Sequence, residues 1–413
     1  MPLIKPFRGL RPVAGRADDV VAPPYDVMNR QEAKELADGR PWSFLHISRP
    51  EIDLPDEVDP YDASVYAKGK ENLDRMVAEG VLAKDENESY YAYRLTMGNH
   101  VQTGLVAAAS VEAYDNDRIK KHEFTRPVKE DDRVRQVDTL NAQTGPVFLC
   151  YPSDQVIDSI LAAKSNSEPD IDVTALDGVR HELWVIDSPD TVRQLTAAFE
   201  KLDAIYVADG HHRSAAGSRV GNSRKETNSD HSGDESYNYF LSVIFPHDQM
   251  QILDYNRVIA DLNGMDVDTF VARIAESFDL IISDEPVKPG QTGEYGMYLD
   301  GQWYRLNIHE ELVPSDDPVA RLDVAMLQSN LIEPLLGISD PRRDTRIDFV
   351  GGIRGLGGLE KRVASGDWAV AFSLFPTSME ALMSVADAGE VMPPKSTWFE
   401  PKLADGLVSH VLD

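Results

Sequence analysis

Hydrophobic positions recur along the chain in two rhythms. Between residues 61 and 80, Tyr61, Val65, Leu73, Met76 and Val77 stand among charges at the spacing of an amphipathic helix. Apolar runs at 90–97 and 101–114, joined by Gly98-Asn99-His100, predict a hairpin. Strands are predicted at 147–151, 183–186 and 205–208, with helices at 154–164 and 191–202. Downstream, 239–245, 250–253, 347–350 and 368–375 read as strands, and a hairpin turns at Asp300-Gly301. Helices are predicted at 267–278, 318–336 and 359–363. The first sixty residues are rich in proline, which fixes φ and biases its predecessor towards extended backbone, so they predict an ordered, non-helical opening with short strands. Residues 222–236 are polar, have no period and predict a mobile surface loop. Helices and strands intermix with hairpins, so the expected class is α+β, with mixed sheets and packed helices rather than a regular βα repeat. No internal repeat is found, and the expected regions are 1–150, 151–262 and 263–413.

Composition narrows the partners. The 413 residues carry 41 basic and 70 acidic side chains, a formal charge of −29. A nucleic-acid partner is not expected, because a polyanion must be met by clustered Lys and Arg. The opening Met1-Pro2-Leu3-Ile4-Lys5-Pro6-Phe7-Arg8 has no apolar signal core, and no window reaches about 18 apolar residues, so no membrane partner is expected and the localisation expected is cytoplasmic. The one cysteine, Cys150, lies in the apolar run Val147-Phe148-Leu149-Cys150-Tyr151 and reads as a buried, inert thiol.

The chemistry-bearing feature is Asp209-Gly210-His211-His212-Arg213, placed between a predicted strand and a helix. Gly210 permits a sharp turn and a close approach to the backbone. The helix start offers free N–H groups and a positive dipole end to an anion. Arg213 can fork onto phosphate oxygens, and His211 or His212 can donate to phosphate or shuttle a proton. Asp209 can take a proton, hold a metal or cap the helix; the bland alternative is a capped helix with two exposed histidines. A second cluster runs Lys120-Lys121-His122-Glu123-Phe124-Thr125-Arg126 and on through Lys129, Asp132, Arg133 and Arg135. Lys129 and Arg133 suit phosphates, and Glu123 suits a base or a metal ligand; a solvated charged loop is the alternative. A third, Met392-Pro393-Pro394-Lys395-Ser396-Thr397 with Lys402, suits an anion or nucleotide contact through Lys395, Ser396, Thr397 and Lys402, or equally a packed tail. The glycine-rich 351–358 lacks both the dinucleotide fingerprint and a Gly-Lys-Ser/Thr.

The motifs Pro6-Phe7-Arg8-Gly9-Leu10-Arg11, Ala22-Pro23-Pro24-Tyr25-Asp26, Asp209-Gly210-His211-His212-Arg213, Asn256-Arg257-Val258, Met392-Pro393-Pro394-Lys395-Ser396-Thr397 and Pro401-Lys402 resemble, in this order, a broad prokaryotic family of unknown function. More remotely, the Asp-Gly-His-His-Arg stretch resembles the motif of the ParB/sulfiredoxin-like superfamily, which includes chromosome-partitioning CTPases, sulfiredoxin and free-serine kinases. That resemblance implies a ParB/sulfiredoxin-like core around the motif, with His211, His212 and Arg213 on nucleotide phosphates and Asp209 positioning substrate or metal. No helix-turn-helix partner domain is found, and Cys150 does not match sulfiredoxin's catalytic cysteine, so the kinase branch fits best; its glutamate base is matched by Glu123 or Glu51.

Two readings follow. One is a nucleotide-dependent phosphotransferase acting on a small hydroxyl metabolite, free serine among the acceptors, with Mg²⁺ and ATP or ADP as the expected cofactor set. Such transfer needs cations on the phosphates and a carboxylate for the hydroxyl proton. The other is a non-catalytic nucleotide or phosphometabolite sensor; a nucleotide phosphohydrolase lies between them. The metal ligands and the oligomeric state are left open.

Overall fold

The computed structural model describes residues 1–412. The chain forms two compact units, one from Met1–Met250 together with the segment from Pro401 onward, the other from Gln251–Glu400.

The first unit is built on a nine-stranded mixed sheet. Its middle is the hairpin of Tyr90–Met97 and His100–Ser110, flanked by Arg180–Ile186 on one side and Tyr239–Pro246 on the other. Tyr239–Pro246 runs parallel to Val147–Tyr151, which in turn pairs antiparallel with Ile205–Asp209. Position 150, one of the expected borders, therefore lies inside a strand paired on both sides. Val147–Tyr151 and Tyr239–Pro246 read clearly from sequence because they are almost wholly apolar, and all five residues of the first and all eight of the second are buried. One core gathers Trp184, Tyr151, Phe199 and Phe240 against Gln155–Lys164 and Pro189–Phe199. A second core joins Phe44, Leu45, Ile47, Leu73, Met76 and Leu140.

The opening sixty residues depart from the non-helical expectation. Helices occur at Ala17–Val20, Arg30–Ala37 and Leu45–Ser48. The prolines lie between them rather than preventing them. Asn29 starts Arg30–Ala37 with a reciprocal capping box: its side chain accepts from Glu32 N–H at 3.0 Å, and the Glu32 carboxylate accepts from Asn29 N–H at 2.8 Å. The charged second cluster is partly helical, with Pro127–Leu140 opening on proline at the position where its missing N–H costs nothing. The loop expected at 222–236 is also shorter, because the helix His211–Thr227 takes its first residues.

The second unit holds a six-stranded antiparallel sheet in the order Phe278–Ser283, Gln302–Ile308, Glu294–Leu299, Val370–Leu374, Tyr255–Ile259 and Ile347–Gly351. Gln251–Leu253 pairs with Trp398–Glu400, so the two ends of this unit lie side by side. The helix expected at 267–278 ends at Ile274, and Phe278 opens a strand. The helix expected at 318–336 begins at Asp323 and passes through a π-helical stretch, Gln328–Ile332, just ahead of Pro334, which lacks the N–H a regular turn would use.

Candidate functional site

Strand Ile205–Asp209 ends at Gly210, whose φ of +91° is open to glycine without strain, and helix His211–Thr227 follows directly. The N–H groups of Arg213 and Ser214 return to the Gly210 carbonyl at 2.9 and 3.0 Å, and no side chain caps the helix start. The turn thus keeps the donor-rich end that an anion uses. One Asp209 oxygen accepts from the Gly210 N–H at 2.8 Å, and the other lies 3.2 Å from Lys402 Nζ. Burial works to raise the Asp209 carboxyl, but Lys402, Arg213 and the Gly210 N–H hold it well below the usual carboxylate range.

Arg213 folds back under its own turn. Its Nη1 donates to the Pro146 carbonyl at 2.6 Å, and its Nε has no hydrogen-bond partner. Two glycines leave it room: a Cβ on Gly210 would lie 3.1 Å from Arg213 Nε, and one on Gly145 would lie 3.4 Å from Arg213 Cδ. Burial opposes the charge of Arg213, yet Asp26, Asp209, Tyr25 and Asp405 hold it firmly protonated.

Asp405 comes from the tail. Its backbone pairs with Ala22, donating to the Ala22 carbonyl at 2.9 Å and accepting back at 3.2 Å. That pairing brings the tail beside the Ala22-to-Asp26 segment. Asp405 is 1% exposed and its Oδ1 has no partner. Burial, reinforced by Asp26, pushes its carboxyl up to about 7, against the pull of Arg213, Arg133 and the Tyr25 N–H. Arg133, from Pro127–Leu140, lies 4.0 Å over the Tyr25 ring and bonds Asp132 at 2.7 Å; Asp132 also accepts from Tyr66 Oη at 2.9 Å. Tyr25, Ser48, Arg133, Gly145, Arg213 and Asp405 line one small cavity that is partly open to solvent.

A family profile whose description reads protein of unknown function, DUF1015, matches residues 4–325. The chain belongs to the DUF1015 family. No curated protein matches it. Among solved structures, a free serine kinase variant in complex with AMP aligns at a TM-score of 0.36 and 15% identity, over 71% of this chain and 86% of that one. A conserved hypothetical protein from Pyrococcus furiosus aligns at 0.35 and 15%, over 73% and 94%. SbnI with C-terminal truncation, from Staphylococcus aureus, aligns at 0.37 and 11%, over 73% and 86%.

Of the residues singled out by sequence in this DUF1015 protein, the fold groups Asp209, Gly210, Arg213 and Lys402, and it brings Arg133 to the same cavity as Arg213. The two histidines turn elsewhere. The His211 ring is buried edge-on against His122 at 4.5 Å, and both its nitrogens are without partners. Burial pushes both rings down, His122 to about 4 and His211 well below its ordinary value, so both are neutral at pH 7. His212 Nε2 accepts from the Arg126 N–H at 3.0 Å and latches the helix start to the segment before Pro127. Lys129 donates to Tyr61 Oη at 2.9 Å, and Glu123 is solvent-exposed and does not line the cavity. Glu51 is buried and ion-paired at 2.7 Å with Arg49, whose Nη1 donates to the Tyr25 carbonyl.

Lys395, Ser396 and Thr397 belong to the second unit. There Ser396 Oγ donates to the Pro393 carbonyl at 2.7 Å, Thr397 is half-buried, and Lys395 Nζ lies 5.6 Å over the Tyr255 ring. Arg257 Nη2 donates to the Lys395 carbonyl at 3.0 Å, which ties this loop to its sheet. Sequence reasoning did not single out Ser48, Gly145 or Asp405 as site residues. The available signal for Asp405 was its place three residues after Lys402, but Asp405-Gly406 reads as an ordinary turn.

Proposed function

We propose that this protein is a nucleotide-dependent phosphotransferase acting on a small hydroxyl metabolite. The observation that carries the phosphate half of this reading is the uncapped helix start after Gly210 with the charged Arg213 guanidinium beside it. The nucleotide half rests on the likeness of the Asp-Gly-His-His-Arg motif to a superfamily that binds nucleotides. In this reading the N–H groups of His211 and His212, rather than their neutral rings, face phosphate oxygens, and Arg213 supplies the fixed charge.

Mg²⁺ would supply charge neutralisation on the phosphates. Asp209, the carboxylate beside the turn, is already engaged by Lys402 and Gly210, and no group of three His, Cys, Asp or Glu able to hold a metal occurs among the described residues. This donor set does not fit a protein-held ion. A phosphometabolite sensor is the second reading. The exposure of Glu123, outside the cavity, favours it, because a base must reach the acceptor hydroxyl.

The test is a melting-shift series with ATP, ADP and inorganic phosphate, each with and without Mg²⁺. Saturating ligand at a hundred times its dissociation constant should add about 2.7 kcal/mol. Arg213→Ala should weaken binding by about ten- to a hundredfold, the worth of a charge-assisted hydrogen bond. A phosphoryl-transfer assay over hydroxyl metabolites including serine then separates enzyme from sensor. Absence of any shift with all three ligands overturns both.

A further inference from the structure

Three residues that line the same cavity each carry a buried polar atom without a hydrogen-bond partner: Ser48 Oγ, Arg213 Nε and Asp405 Oδ1. They come from three distant segments, the Leu45–Ser48 helix, the start of His211–Thr227 and the tail. Buried polar groups are normally satisfied, so three orphans converging on one space need a common partner. The set is chemically mixed: Arg213 Nε can only donate, Asp405 Oδ1 accepts, and Ser48 Oγ does either. Arg213 and Asp405 both line this space, and the Arg213 guanidinium donates through Nη1 to the Pro146 carbonyl rather than to Asp405 Oδ1. Gly145 lies between the two, where a Cβ would stand 3.3 Å from Asp405 Oδ1 and 3.4 Å from Arg213 Cδ. Arg133 supplies a second guanidinium, neutralised by Asp132.

We propose that this cavity binds a small hydroxylated carboxylate, its carboxylate on Arg213 Nε and its hydroxyl donating to Asp405 Oδ1, with Ser48 Oγ bonding either group. A ligand carrying an acceptor and a donor on neighbouring atoms satisfies all three orphans at once, whereas a simple anion leaves Asp405 unmet. As the acceptor pocket of a kinase the cavity depends on the phosphotransferase reading; as a binding site it does not.

The test uses three probes that divide the chemistry: glycolate has both groups, acetate only the carboxylate, and ethylene glycol only the hydroxyl. Titration calorimetry on the full chain should give saturable glycolate binding about threefold to tenfold tighter than acetate, the net worth of one hydrogen bond. Ethylene glycol should not compete. Asp405→Ala, which removes the acceptor, should bring glycolate to the level of acetate, and Gly145→Ala, whose added methyl fills the gap between Arg213 and Asp405, should weaken both acids. Melting curves confirm that each variant is folded before binding is read. The proposal is overturned if glycolate and acetate bind equally, or if neither binds saturably, which would leave the cavity to ordered water. Nucleotide shifts are measured on the same samples. Glycolate binding without any nucleotide shift defeats the phosphotransferase reading and keeps the pocket, and the reverse result defeats the pocket alone.

Discussion

Asp405→Asn removes a charge from a place where the fold tolerates it poorly. The carboxyl is raised from an ordinary 3.8 to about 7, because Asp405 is 1% exposed and Asp26 adds like charge. At about 1.4 kcal/mol for each tenfold change, the ionised form is disfavoured in the folded state by on the order of 4 kcal/mol. The sign follows from linkage. Below pH 3.8 the carboxyl is protonated both folded and unfolded and contributes no difference. Between there and about 7 the folded protein keeps a proton that the unfolded chain has lost, so stability falls as pH rises, and above about 7 the loss is complete. Asparagine carries no charge at any of these values. The variant should therefore melt near wild type at pH 4 and progressively above it up to pH 7, by about 5–10 °C for a unit of this size. The readout is the difference between the two melting curves at each pH, which cancels the titration of every other acid. Parallel curves from pH 4 to pH 8 would refute the reasoning and mean that Arg213 fully compensates the Asp405 charge.

Gly210→Ala should cost about 1–2 kcal/mol, because φ of +91° is strained for an L side chain and the new methyl would press on Arg213; melting and nucleotide-induced shift should fall together. Gly221→Ala places a Cβ 2.5 Å from the Tyr237 carbonyl, so helix His211–Thr227 must move, and a loss of about 1–3 kcal/mol is expected in denaturant melts. Cys150 is fully buried and burial pushes its thiol up, so a thiol reagent should label it only at the rate of unfolding; rapid labelling of the native protein would contradict this.

Most strands were legible from their apolar runs, whereas the helix Pro127–Leu140 was not and His211–Thr227 showed only its start, each for a different reason. Pro127–Leu140 buries Asp132, Gln136 and Leu140 at four-residue spacing, but two of the three are polar. Asp132 is satisfied by Tyr66 and Gln136 by the Ile47 carbonyl at 2.9 Å, so the helical period is written in hydrogen bonds rather than hydrophobicity. His211–Thr227 buries Ser214, Ala215, Ala216, Gly217, Ser218 and Gly221. These residues are small because the helix lies close on Tyr237 and Phe240, where a Cβ on Gly217 would meet Phe240 Cβ at 2.9 Å. A hydrophobic pattern cannot report a contact made through the absence of side chains. The site divides in the same way. Asp209, Gly210 and Arg213 are neighbours in sequence, and their geometry follows from one strand–glycine–helix turn. Asp405, Ser48 and Gly145 acquire a role only from what lies across from them, and nothing local marks them. The proline motif Ala22-Pro23-Pro24-Tyr25-Asp26 and the tail look unrelated in sequence, yet the pairing of Ala22 with Asp405 places Asp405 beside Tyr25, and both line the cavity that Arg213 lines. That arrangement gives a physical reason for the opening motif and the tail beyond Pro401: both line the cavity that holds the Arg213 guanidinium.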